Sequence, residues 1–233
     1  MSGIHKGEEW GTPTEEPATL VVRGSDGALA SAWAAQPEAL IRFVPAQSDL
    51  ALTLGLGGAR EPAGIEVALD VLAVETPLGV TFAVAHVTFG NAAHTLRAWH
   101  RRYPTHIRIG ATPDASDAAN GEAPDGARAT TTSGIVVLNA QHLAGRRVAP
   151  RGHPGDGRIE IQWFGLAPAD RAGMRRRLAR GDHLPHPAIG HATGRVAHFS
   201  SRVPRPVAID GEVVGTTSTL TVTVRPAALR LLL

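Results

Sequence analysis

The sequence predicts an α+β chain, a short α/β lobe followed by an antiparallel β-sandwich domain, and three observations carry that expectation. Residues 19–54 alternate strand, turn and helix twice, the pattern of parallel strands with helical crossovers. From Ile65 onward the apolar segments are strand-like and separated by turns, which suits antiparallel sheets packed face to face. Glycine (26) and proline (17) are abundant while aromatics make up only 4% of the chain, a balance that favours short strands and turns over long helices.

Each element follows from its residues. Residues 19–23 form a short apolar strand, and Gly24-Ser25-Asp26-Gly27 turns it into an alanine-rich helix over 28–35. Residues 40–44 are the next strand, stopped by Pro45, and Ser48 or Asp49 caps a short helix over 50–54 that Gly55 and its neighbours end. Strands over 65–74 and 80–89 flank Thr76-Pro77-Leu78-Gly79 and make a hairpin. Further strands are expected over 105–109, 134–139, 158–164, 195–199, 206–210 and 218–225. One helix, 168–180, interrupts them and stops at Gly181. Segment 114–133 has too little apolar content to offset its ordering entropy and reads as a mobile loop. The chain thus divides into a linker (1–18), the lobe (19–62) and the sandwich (63–233).

Composition excludes several chemistries. Cysteine is absent, so there is no disulfide framework, thiolate metal site or cysteine nucleophile. Lys6 is the only lysine, so neither a P-loop nor the strand lysine of a protein kinase can be built in the folded region, and Schiff-base catalysis is equally remote. Every other cation is arginine, within a formal net charge of +2. That small excess and the scarce aromatics argue against nucleic acid as a partner. No apolar run approaches the roughly 18 residues of a spanning helix. A cytoplasmic protein is expected, with peripheral attachment to a membrane left open.

Several segments are candidates for chemistry. Gly24-Ser25-Asp26-Gly27 lies between strand and helix, where backbone N–H groups and the helix N-terminus can approach an oxyanion; the plainer reading is a turn. Pro154-Gly155-Asp156-Gly157 and Asp210-Gly211-Glu212 are acidic turns at strand ends. Arg171, Arg175, Arg176, Arg177 and Arg180 make the 168–180 helix strongly cationic over a narrow apolar stripe of Met174 and Leu178. A solvated face is the common explanation, and a surface for anionic lipid is the functional one. His183, His186, His191 and His198 fit no zinc spacing well, because prolines break any helix that could align them.

Read in order, Asn139-Ala140-Gln141-His142, Val148-Ala149-Pro150, Pro154-Gly155-Asp156-Gly157 and the late Asp210-Gly211-Glu212 resemble the C-terminal half of the soluble diacylglycerol kinase and sphingosine kinase family of lipid kinases. The resemblance runs from about residue 19 to the end and is stronger after Gly134. It implies a truncated α/β nucleotide-binding-like lobe before the sandwich, and ATP-dependent phosphorylation of a lipid hydroxyl. Glu212 would be the general base with Asp210 beside it; Gly24, Ser25, Asp26 and Gly27 would cradle the nucleotide phosphates. Mg²⁺ would bind at Asp156 with the backbone carbonyls of His153 and Arg158, an oxygen-only donor set that suits this ion.

The match has gaps, all in the nucleotide half. The family's glycine loop ends in a threonine where this chain has Ala28, and Ser25 replaces a glycine. The Gly-Thr that precedes the family's Asn-Asp is missing from Val44-Pro45-Ala46-Gln47-Ser48-Asp49, where a helix cap is the better explanation. A further strand and helix upstream of the loop have no counterpart in the eighteen residues before Thr19. Two functions follow as alternatives: a lipid kinase using ATP and Mg²⁺, or a pseudokinase that binds lipid or a partner subunit without catalysis. The short lobe must lean on the sandwich, on a second copy in a homodimer, or on a partner chain.

Overall fold

The computed structural model describes residues 11–56, 64–90, 102–110 and 128–233. Strands β2 (Leu20–Gly24) and β3 (Leu40–Pro45) pair in parallel, with helix α1 (Asp26–Ala35) between them and α2 (Asp49–Leu54) after them. A two-residue strand, β1 (Thr12–Pro13), precedes them inside the expected linker and pairs with β4 (Ile65–Thr76). Leu29, Ala30 and Trp33 bury one face of α1, and the Trp33 indole N–H donates to the Ala228 carbonyl at 2.8 Å.

The lobe does lean on the sandwich, through a strand that runs beyond the length the sequence predicts. The expected strand 218–225 is the middle of β15 (Glu212–Leu232), whose last residues, Arg230 to Leu232, pair in parallel with Leu40 to Arg42 of β3. One strand therefore belongs to both regions, and the lobe's sheet is an extension of the sandwich's. Among the described residues β2 pairs only with β3, and Val21 on it is 51% exposed.

The β4 hairpin forms as expected, with Gly79 at φ 131° in its turn. Its second arm is shorter than expected. Residues 80–89 are divided between β5 (Gly79–Ala83), which pairs with β4, and β6 (His86–Gly90), which pairs with β9 (Gly134–Leu138) and β14 (Val196–Ile209). The break falls at Val84 and Ala85, whose N–H groups turn away to the carboxylate of Asp210.

Two other expectations are corrected. Of the segment 114–133 expected to be mobile, residues 128–132 form β8 (Arg128–Thr132), antiparallel to β7 (Tyr103–Gly110), and 114–127 lie outside the described residues. Its threonines are β-branched, and Thr132 Oγ1 donates to the Phe164 carbonyl at 2.8 Å. The separate strands 195–199 and 206–210 are one strand, β14, with an irregularity between Ser200 and Arg205. Before the irregularity β14 pairs with β7, after it with β6, so a bulge lets one strand take two successive partners along the same edge. The histidine-rich stretch supplies a strand, β13 (Ile189–Gly194), paired with β12 (Ile159–Phe164).

Helix α3 (Arg171–Arg180) follows a 3-10 turn at Pro168–Asp170 and ends at Gly181 with φ 73°. Met174 and Leu178 are buried beneath it with Leu143, Val148 and Phe164. They seat α3 against a small hairpin, β10 (His142–Leu143) and β11 (Arg146–Arg147). Separate cores fill the sandwich and the space under α1. Among the described residues no helix is long and apolar enough to cross a membrane.

Candidate functional site

A cleft of about 670 Å³ opens where β2 and β3 end, the position at which open α/β sheets receive ligands. The lobe contributes Ser25 and the segment from Pro45 to Asp49; the sandwich contributes His86, the Ala144-Gly145 turn and Asp210-Gly211-Glu212. Three sequence candidates, Ser25, Asp210 and Glu212, thus come together on its wall, while Gly24, Asp26 and Gly27 are not among the lining residues.

The two helices that begin here satisfy first-turn amides with their own side chains. Ser25 Oγ accepts from the Ala28 N–H at 3.3 Å, capping α1. Ser48 Oγ accepts from the Ala51 N–H at 2.8 Å, the cap expected for α2. Asp26 is buried and reaches across from α1 to α2, accepting from the Asp49 N–H at 2.8 Å, the Leu50 N–H at 3.4 Å and the Ser48 hydroxyl. Burial raises its pKa.

Asp49 in turn holds the sandwich. Its carboxylate accepts from Ala144 N–H (2.7 Å) and Gly145 N–H (2.8 Å), in the two-residue turn between β10 and β11. Both residues of that turn have positive φ, 49° and 73°, as a tight hairpin of this kind requires. His86 Nδ1 lies 3.7 Å from Asp49 Oδ2.

Asp210 sits at φ 47° and is buried. Its carboxylate accepts three N–H groups, from Val84 (2.9 Å), Ala85 (3.0 Å) and His86 (2.9 Å). Burial and then the nearby Asp26 push its pKa up to about 7 against the pull of those three bonds. Glu212, by contrast, is exposed, and a methyl group placed on Gly27 would lie 3.8 Å from its Oε1. The glycine turn and the candidate base therefore face each other.

The residues present do not fit a nucleotide triphosphate as the family motifs would. The lining carries the carboxylates of Asp49, Asp210 and Glu212 and no arginine or lysine among the described residues. The Asp49, Leu50 and Ala51 amides of α2 and the Ala28 amide of α1 are already bonded to side chains.

The expected metal turn is a separate place. Asp156 Oδ1 accepts from the Arg158 N–H at 2.9 Å, and the Asp156 N–H donates to the His153 carbonyl at 3.3 Å, so the three residues share one tight turn. Beside it is Asp70, which accepts from Gly157 N–H (2.7 Å) and Ala227 N–H (2.9 Å). Burial raises Asp156, and Glu160 adds to that rise. Among the described residues no group of three or more histidine, aspartate or glutamate side chains is placed to hold a metal ion, so the turn offers a cation only the Asp156 carboxylate and neighbouring carbonyls, beside the positive charges of Arg158 and Arg195.

Asp70 and His86 escaped sequence reasoning, although each stands as a lone polar residue in an apolar run. Burial pushes Asp70 up to about 6, so the folded state holds its proton more tightly than the unfolded chain does. Its contribution to stability is full below the unfolded pKa and is lost as pH rises through 6. Urea unfolding of wild type and Asp70→Asn at pH 5 and pH 8 should show wild type gaining about 1.4 kcal/mol on the variant at the lower pH. A pH-independent difference would mean that Asp70 titrates as an ordinary carboxylate.

Comparison with known proteins agrees with these elements. Residues 69–233 match the family model described as the YegS C-terminal NAD kinase beta sandwich-like domain. Among solved structures, a diacylglycerol kinase from Bacillus anthracis str. Sterne superposes with a TM-score of 0.67 at 15% identity, covering 91% of this chain and 77% of that one. Two other structures from the same strain, provisionally described as a diacylglycerol kinase, give TM-scores of 0.66 at 14% and 15% identity over the same shares. No curated protein matches the sequence. The sandwich therefore bears out the resemblance read from the motifs, and the chain belongs to the family of YegS C-terminal, NAD kinase beta sandwich-like domains.

Proposed function

We propose that this protein is a non-catalytic member of its family, a lipid-alcohol-binding protein whose cleft no longer anchors ATP. The observation that carries the reading is the commitment of the first-turn amides of α2 to Asp26 and Ser48, and of the Ala28 amide of α1 to Ser25, beside an acidic, arginine-free lining. Apolar groups on the cleft wall can receive an aliphatic ligand: Leu52, 53% exposed, stands there with Leu56, Ala46 and Pro45. Mg²⁺, if bound, would be held by Asp156 and the carbonyls of His153 and Arg158, where it would neutralise charge and stiffen the turn.

A second reading, an active lipid kinase, is favoured by one feature, the exposed Glu212 carboxylate facing Gly27. There Glu212 would accept the proton of the lipid hydroxyl, with ATP supplying the phosphoryl group. An assay with dispersed diacylglycerol and Mg²⁺-ATP separates the two. We expect no phosphorylated lipid, while a short-chain fluorescent diacylglycerol binds and is displaced by unlabelled diacylglycerol. Turnover that falls by a factor on the order of 10²–10⁴ in Glu212→Gln would overturn the non-catalytic reading and identify the base.

A further inference from the structure

We infer that the cleft binds an aliphatic polyamine, a flexible chain that carries two or more ammonium groups separated by methylenes. The inference rests on the reading that the cleft no longer anchors ATP, and it names the chemistry its charged wall would recognise. Three carboxylates, those of Asp49, Asp210 and Glu212, share the lining, with no arginine or lysine among the described residues. The chain as a whole carries a formal net charge of +2, so the negative field is local to the cleft and is no property of the whole surface.

Hydrogen-bond accounting points the same way. An ionised carboxylate can accept at about four positions. Asp49 is filled at two of them, by the Ala144 and Gly145 N–H groups, and Asp210 at three, by Val84, Ala85 and His86. These donors are backbone amides, which occupy oxygens without cancelling charge. Glu212 is exposed and faces Gly27, which has no side chain to offer it. Asp210 is the buried member and, with a pKa of about 7, carries its own proton for much of the time at neutral pH. Two charges, on Asp49 and Glu212, are then left for a ligand to meet. A hydroxyl brings one donor and no charge, whereas an ammonium group brings three donors and the opposite charge.

The spread of the carboxylates selects among cations. Among the described residues no group of three or more histidine, aspartate or glutamate side chains is placed to hold a metal ion. The acids of the cleft therefore do not converge on one point, and a single compact cation cannot serve them together. Asp49 begins α2, Glu212 begins β15, and they face one cleft of about 670 Å³ from different elements. Pro45, Leu52 and Leu56 supply apolar surface in the same lining, with Leu52 53% exposed. A chain with charges at its ends and methylenes between them matches carboxylates set apart beside an apolar wall.

The experiment is isothermal calorimetry at neutral pH, without nucleotide, using spermidine, 1,5-diaminopentane, n-pentylamine and glutarate. We expect spermidine and the diamine to bind, and to bind more weakly as salt is added. Pentylamine, with one charge, should bind at least about 10-fold more weakly than the diamine, and glutarate, with the charges reversed, should give no heat. Glu212→Gln should weaken spermidine by at least about 10-fold at an unchanged melting temperature, because the side chain is exposed. Glu75→Gln, exposed and outside the lining, should leave the affinity as it was. Absence of heat with both polyvalent amines would overturn the inference, as would equal affinity for pentylamine and the diamine. An equal loss in Glu75→Gln and Glu212→Gln would also overturn it, because the attraction would then belong to the surface at large. If the amines fail while fluorescent diacylglycerol binds and Mg²⁺-ATP does not, this inference falls alone. Micromolar binding of Mg²⁺-ATP would remove the reading on which it rests.

Discussion

Mg²⁺-ATP titrated into this protein should give no heat of binding, or a dissociation constant in the millimolar range. A phosphate group is held by N–H and cationic donors that are free to point at it, and a helix N-terminus is useful only while its first amides lack partners. In α2 the amides of Asp49, Leu50 and Ala51 are bonded to Asp26 and Ser48, and in α1 the amide of Ala28 is bonded to Ser25. A ligand would have to displace those bonds and then sit against Asp49 and Asp210. Hydrogen bonds to charged groups are worth roughly 1.5–3 kcal/mol each, so losing two or three removes several orders of magnitude of affinity. Isothermal calorimetry decides it: a micromolar constant would mean that the loop rearranges around the nucleotide, and the non-catalytic reading would fall.

The sequence made some of this legible and hid the rest for identifiable reasons. Ser48 was readable as a helix cap because capping is local and needs only the residues that follow it. The turn at Gly79, the end of α3 at Gly181 and the burial of Met174 and Leu178 were readable for the same reason. What could not be read were contacts across long sequence separations. Asp26 looked like a phosphate-loop residue, and nothing near it in sequence announces that its carboxylate caps a helix starting at Asp49. The strand expected over 218–225 stopped short of Arg230 to Leu232, and only the fold reveals that this segment joins β3 and fuses the lobe to the sandwich. The single strand expected over 80–89 failed because its break is imposed from Asp210, more than a hundred residues away in the chain.

That break leads to the largest expected effect on stability. Asp210→Ala should cost about 3 kcal/mol or more in urea unfolding at pH 6, whereas Glu212→Ala, two residues on and exposed, should stay within about 0.5 kcal/mol of wild type. The choice of pH isolates the cause. With a pKa of about 7 the Asp210 carboxyl is mostly protonated at pH 6, so alanine removes acceptor oxygens rather than relieving a buried charge. The N–H groups of Val84, Ala85 and His86 then lose the acceptor they share, and each buried donor left without a partner costs about 1–3 kcal/mol. Alanine also tolerates the left-handed backbone at φ 47° less well than aspartate does, which adds to the loss. A loss below about 1 kcal/mol would mean that water or a rejoined β5–β6 strand satisfies the three amides. The Asp of Asp210-Gly211-Glu212 would then be free for a role in the cleft. The predicted loss would instead assign Asp210 to holding the bend that brings His86 to the cleft wall, leaving Glu212 as the carboxylate available for chemistry.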